Sequence, residues 1–176
     1  MVEYNTGGID VRIDKLARIT RPDLVELGNH ISIDMCVYIS VSAKIGDYVH
    51  IAPNVSIIGG SDANLIMEDF TSIATGSRLV CASDDFKEGF TCPFIPIKYR
   101  NVINKPIILR RFSVVGVNSV ILPGVEMAEG SVLGANSLLN NNTEPWVIYA
   151  GSPAKPIGIR SSKMILKGAE ELGYNV

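Results

Sequence analysis

Residues 27–57 read LGNHIS IDMCVY ISVSAK IGDYVH IAPNVS I, and in blocks of six every block starts on an aliphatic residue: Leu27, Ile33, Ile39, Ile45, Ile51 and Ile57. After a four-residue offset the series resumes at Met67, Ile73 and Leu79. After a longer break it returns at Leu109, Val115, Ile121, Met127, Leu133 and Leu139. The residue that follows is usually small or polar (Gly28, Asp34, Gly46, Gly116, Gly134). The fifth of each block is small or β-branched, from Val37, Ala43 and Val55 to Ser119, Ser131 and Ser137. A period of six is foreign to the 3.6-residue helix but suits short strands, with alternating inward side chains, separated by bends. Three hexads close one triangular coil, and stacked coils pair every backbone group with the coil above or below. An antiparallel sandwich would need hairpin dipeptides at short intervals, and the sequence lacks them. The reading is an all-β solenoid, a parallel β-helix.

Composition agrees. The 176 residues make one ordinary domain, able to bury a core without disulfides or metals. Sixteen Lys and Arg against 18 Asp and Glu leave a net charge of −2, which gives no electrostatic footprint for nucleic acid or an anionic membrane. With 47% hydrophobic residues the chain is not disordered, and no apolar run approaches the ~18 residues of a membrane span. Cys36, Cys81 and Cys92 are odd in number and lack CxxC spacing, and the N-terminus has no signal-like pattern, so a reduced, cytoplasmic protein is expected.

The repeat resembles that of the hexapeptide-repeat acyltransferases over about residues 19–160. The resemblance implies a left-handed parallel β-helix, a homotrimer with active sites between subunits, and acetyl-CoA or another short acyl-CoA as co-substrate. The whole of 1–176 is read as a single acyltransferase domain: coils at 19–84 and 107–160, an inserted loop at 85–106, and a short C-terminal helix at 161–174 beginning at Ser161 and capping the open end. The sequence leaves open how residues 1–18 pack, although Ile9 and Ile13 hint at a partial coil.

Departures from the period are where function is expected. The small one, residues 59–64 (GGSDAN), is a turn-forming cluster at one corner. The large one, DFKEGFTCPFIPIKYRNVINKP at 85–106, mixes aromatic and charged residues on a segment stiffened by Pro93, Pro96 and Pro106. It suits covering a ligand, packing on a neighbouring subunit, or both. At its start Ser83, Asp84, Asp85 and Phe86 place two carboxylates where a regular wall gives way to a cleft. Acyl transfer from a thioester needs an uncharged nucleophile, and Asp84 or Asp85 can orient an amine or hydroxyl and take up its proton. Histidine is the usual base at neutral pH, and His50 is the stronger candidate of the two, His30 the weaker. Counted in threes from Leu27, His50 and Asp84 fall on different corners, so they would cooperate only across a subunit boundary.

Members of the family that acetylate hydroxyls of galactosides, maltose or xenobiotics carry a histidine near the loop start, and this chain has none after His50. The segments Ser83–Phe86 and 93–102 are more similar to those of bacterial enzymes that acylate the amino group of nucleotide-linked deoxyamino sugars for surface polysaccharides. That resemblance implies a nucleotide-linked sugar acceptor, with Ser83, Phe86, Tyr99 and Arg100 near it; O-acetylation of a sugar or polysaccharide hydroxyl is the alternative. For the coenzyme it implies Gly116, Ser119 and Ala135, small residues on successive coils that leave backbone amides open to a pantetheine arm. Residues 144–160 (EPWVIYAGSPAKPIGIR) resemble the family's closing segment, which assigns Lys155 and Arg160 to the 3′-phosphate. No metal is expected, since γ-type carbonic anhydrases on this fold need three histidines and only two are present. A purely structural solenoid is disfavoured by the aromatic loop.

Overall fold

Each hexad folds as a short strand followed by a bend, and the strands fall on three faces. The computed structural model describes residues 7–176, a parallel β-solenoid of about seven turns. On the first face Val11–Ile13, Ile31–Ile33, His50–Ile51, Ser72–Ile73, Val114–Val115, Val132–Leu133 and Val147–Gly151 stack in parallel. The second face runs from Arg18–Ile19 to Leu138–Leu139, and the third from Val25–Leu27 to Glu126–Met127. In-register pairing puts like on like: Ile33 over Ile51, Ile39 over Ile57, Ile45 over Met67. Fourteen of the fifteen aliphatic repeat positions are buried, Leu27 being half-buried. Their continuous column is the core, and its burial supplies the main driving force for stacking.

The bends repeat as well. At the corner leading into the first face His30, Tyr48, Phe70, Phe112 and Trp146 all take a positive φ of 55–64°. That conformation is unfavourable for bulky side chains, and here the rings stack on one another. His30 lies 4.5 Å from Tyr48, Tyr48 5.1 Å from Phe70, and Phe70 5.2 Å from Phe112. Gly130 takes the rung before Trp146. Its φ is +65°, and a Cβ there would come within 2.3 Å of the Trp146 ring, which fills the gap.

Three boundaries differ from the sequence reading. The coils begin at Val11, before residue 19, because Val11–Ile13 pairs with Ile31–Ile33. Ala154–Ile159 folds back antiparallel on Val147–Gly151, so the parallel ladder ends at Gly151. The helix spans Lys163–Glu171 with no side-chain cap. The residues after it do not close the solenoid end as expected. Tyr174 packs edge-on against Tyr48 and Phe70, its hydroxyl donates to Asp47 at 2.6 Å, and Arg111 bonds the Asn175 carbonyl.

Candidate active site

Both departures from the period sit at the corner between the second and third faces, on adjacent coils. Residues 59–63 link Ser56–Ile58 to Asn64–Met67, and the long insertion links Arg78–Val80 to Ile107–Leu109. Gly59 permits the contact: a Cβ there would lie 2.9 Å from the Ala82 nitrogen. The insertion leaves the wall as a two-stranded antiparallel ribbon, Ala82–Asp84 against Val102–Asn104. Thus part of the expected loop is strand, and Asp84 lies at the end of a paired strand.

That pairing settles the two carboxylates differently. Asp84 Oδ1 accepts from Arg100 Nη2 at 2.9 Å, both side chains about four-fifths buried. Its Oδ2 has no hydrogen-bond partner among the described residues. Asp85 uses both oxygens inside the loop, accepting from the Lys87 amide at 2.9 Å and from Asn101 Nδ2 at 3.1 Å. Ser83 donates to the Asp84 carbonyl at 3.2 Å. Beyond them Phe86, Phe90, Phe94, Ile97 and Tyr99 stand exposed, Phe94 almost fully, and Lys98 lies over the Tyr99 ring. Nearby Cys81 is buried and its thiol is pushed up to about 12 by desolvation, so it supplies no thiolate nucleophile.

His50 is elsewhere: hexad counting expects it at a corner, and it lies on the outer side of the first face, at the start of the strand His50–Ile51. Its Nε2 lies 2.8 Å from Asp34 Oδ2, and this contact is the main cause holding the Asp34 carboxyl below its ordinary range. His30 Nδ1 pairs with Asp10 at 3.1 Å. Both histidines line one shallow groove of about 520 Å³ with Arg12, Ser32 and Tyr48. Asp34 had no sequence signal. The aromatic corner did have one, a ring three residues after Leu27, Ile45, Met67 and Leu109, broken only at Met127 by Gly130, and it is not used in the sequence reading above.

The expected coenzyme residues divide. Ala135 and Lys155 are exposed. Gly116 packs so closely on the next coil that a Cβ would lie 2.6 Å from the Leu133 carbonyl, so the coil itself demands glycine. Ser119 is corrected: it is fully buried and its hydroxyl donates to the Gly134 carbonyl at 2.8 Å and accepts the Ser137 amide at 3.2 Å, leaving nothing for a ligand. Arg160 is turned in part toward the chain itself. Its Nη1 donates to the Phe112 and Gly130 carbonyls at 2.6 and 3.1 Å, its guanidinium lies over Trp146, and desolvation lowers its pKa. Lys155 lies five residues away near the other end of the hairpin, about 16 Å along an extended strand.

The outward rows change character along the axis. On the first face the register runs Arg12, Ser32, His50, Ser72, then Val114, Val132 and Ile148. On the second it runs Arg18, Tyr38, Ser56, Arg78, then Val120 and Leu138. On these two faces the wall is mostly polar before the insertion and apolar after it. Among the described residues no cluster of three or more His, Cys, Asp or Glu is placed to hold a metal ion, and no helix is long and apolar enough to cross a membrane.

No protein-family model matches the chain. Curated relatives and solved structures do. The dTDP-4-amino-4,6-dideoxy-D-glucose acyltransferase of Escherichia coli is 28% identical over 166 residues, covering 92% of this chain and 85% of its own. The lipopolysaccharide-biosynthesis O-acetyltransferase WbbJ, also of Escherichia coli, is 27% identical over 155 residues, covering 88% and 68%. AntD, an N-acyltransferase of Bacillus cereus solved with dTDP and 3-hydroxybutyryl-CoA, superposes with a TM-score of 0.90 at 34% identity over 94% of this chain and 88% of its own. A hexapeptide-repeat acetyltransferase of Vibrio cholerae, at 21% identity and a TM-score of 0.63 over 78% and 72%, shares the fold. With the hexad read in sequence, the three-faced solenoid and a relative this similar along almost its whole length, the chain belongs to the hexapeptide-repeat acyltransferase family.

Proposed function

We propose that the chain transfers an acetyl or other short acyl group from an acyl-coenzyme A to the amino group of a nucleotide-linked deoxyamino sugar, in the cytoplasmic assembly of surface polysaccharide. The observation that carries this reading is Asp84, whose carboxylate is fixed at the start of the insertion with one oxygen held and the other open. The neutral amine attacks the thioester carbonyl carbon, the N–C bond forms and the C–S bond breaks. Asp84 Oδ2 takes the N–H proton and passes it to the departing thiolate, which leaves as the thiol. An amine needs no stronger base once it is uncharged, which fits a site without a histidine. Asp85, with both oxygens engaged, holds the loop. Ser83, Phe86 and Tyr99 stand where the acceptor would lie.

The apolar rows Val114–Val132–Ile148 and Val120–Leu138, together with Ala135 and Lys155, support placing the coenzyme and a neighbouring subunit along the last coils, in a homotrimer with sites between subunits. The exposed aromatics of the insertion fit the same assembly, since a patch of this kind marks an interaction surface. WbbJ and the His50–Asp34 pair favour a second reading, O-acetylation, because a histidine oriented by a carboxylate can deprotonate a sugar hydroxyl. Release of free thiol from acetyl-CoA with amino sugars or with neutral sugars separates the two. Turnover confined to neutral sugars overturns the first reading.

A further inference from the structure

Resting on the acyl-transfer reading above, we propose that Arg100 is a positioning residue for Asp84 and not a substrate ligand. Its guanidinium holds Oδ1 so that Oδ2 is the oxygen left to receive the acceptor's proton. Topology makes the pair. Asp84 is opposite Val102 in the antiparallel ribbon, so Arg100, two residues earlier on the returning leg, is its diagonal neighbour, within reach of a long side chain. The contact is a hydrogen-bonded ion pair at 2.9 Å with both partners about four-fifths buried.

Such a pair is a poor investment in stability, because desolvating two charges consumes most of the Coulomb gain. This pair is not even fully satisfied, since Arg100 Nε is buried without a hydrogen-bond partner. What it secures is geometry. A carboxylate on the last residue of a two-stranded ribbon would otherwise rotate, and the planar guanidinium fixes its direction. Asp85 cannot substitute, because the Lys87 amide and Asn101 already occupy its oxygens.

The test uses steady-state turnover of whichever acceptor the wild-type enzyme accepts, with Arg100→Ala, Arg100→Lys, Asp84→Asn and the Ala/Asn double variant, each checked by melting temperature. Arg100→Ala is expected to lower kcat about 100-fold, the order of loss that misplacing a reacting group causes. KM for acceptor and for acyl-CoA stays within about twofold, as expected when an interaction acts only in the transition state. Added guanidinium restores part of the rate, and the double variant is no slower than Asp84→Asn, the signature of two residues acting as one unit. If Arg100→Ala does not fold, Arg100→Lys carries the test with the same split between kcat and KM. A raised acceptor KM with kcat intact, or losses that multiply in the double variant, overturns the assignment. Wild-type silence with every acceptor overturns the functional reading itself, and the inference with it.

Discussion

The coils before the insertion and the coils after it are built from one hexad and share the inward aliphatic column, yet on the first two faces their outward rows differ. The early coils put Val37, Val49 and Val55 in the second inward column and Arg12, His50, Arg18 and Ser56 on the outside. The late coils put Ser113, Ser119, Ser131 and Ser137 inside and Val114, Val132, Val120 and Leu138 outside. Inside, a serine does what a valine cannot: Ser119 ties the Gly134 carbonyl to the Ser137 amide, adding a hydrogen bond between coils where small residues leave little apolar area. Outside, an aliphatic row on a solvent-facing strand is unfavourable unless something covers it. The inward column therefore says what the chain is, and the outward row says what each stretch meets. On the first two faces the insertion with Asp84 stands at the boundary between the two outward rows.

Four results would break or sharpen this contrast, the largest first. Asp84→Asn should lower turnover by about 10²- to 10⁴-fold, the range for losing a positioned proton acceptor, with acyl-CoA binding retained on the late coils; titration calorimetry alongside kinetics checks both halves. Next come core truncations, which should be equal in the two regions because the column is common. Ile57→Ala and Leu133→Ala should each cost about 2–5 kcal/mol in denaturant unfolding, and a late-coil substitution that costs nothing would show that the column is not one core.

The third result concerns the outer rows and depends on position more than chemistry. Val120→Lys should shift the oligomer toward monomer by light scattering and weaken CoA binding about tenfold, whereas Ser56→Lys, two coils earlier in the same row, should change neither. Equal tolerance at both positions would mean that the late face is not covered.

The smallest effect belongs to the tail. Tyr174→Phe removes one hydrogen bond to a carboxylate and should cost about 1 kcal/mol. It should also flatten the pH dependence of stability at both ends. The Tyr174 phenol is pushed up to about 12, chiefly by its bond to Asp47. Its contribution is thus complete below the unfolded value of about 10 and fades as pH rises through 12. The Asp47 carboxyl is held below its ordinary range, chiefly by the Tyr174 hydroxyl, so its contribution is complete above the unfolded carboxylate pKa and fades as pH falls through the folded one. Melting curves across pH for the two proteins read the difference directly.

Legibility followed the same division. Everything that repeats was readable, because a residue every six positions states its own direction and depth. Fourteen of the fifteen repeat positions are buried, and hexad counting separated His50 from Asp84, although His50 lies on a strand and not at a corner. Roles that depend on which atom a side chain reaches were not readable. Ser119 and Arg160 match the family's coenzyme pattern by position, but the Ser119 hydroxyl is spent on backbone within the chain and Arg160 turns its Nη1 to two backbone carbonyls. The family resemblance of the loop places Arg100 near the acceptor. The pairing of Asp84 with Val102 shows that it reaches the carboxylate. The aromatic corner was legible in principle, being nearly as periodic as the core, but its spacing of a whole coil is easily missed beside a period of six.

The most direct test of the account is release of CoA thiol from acetyl-CoA and longer acyl-CoAs, followed against dTDP-, UDP- and GDP-linked 3-amino and 4-amino sugars with neutral glycosides in parallel. Turnover of a nucleotide-linked amino sugar, lost in Asp84→Asn, is the predicted result. Turnover of neutral sugars alone, undiminished in Asp84→Asn and abolished in His50→Ala, would contradict it.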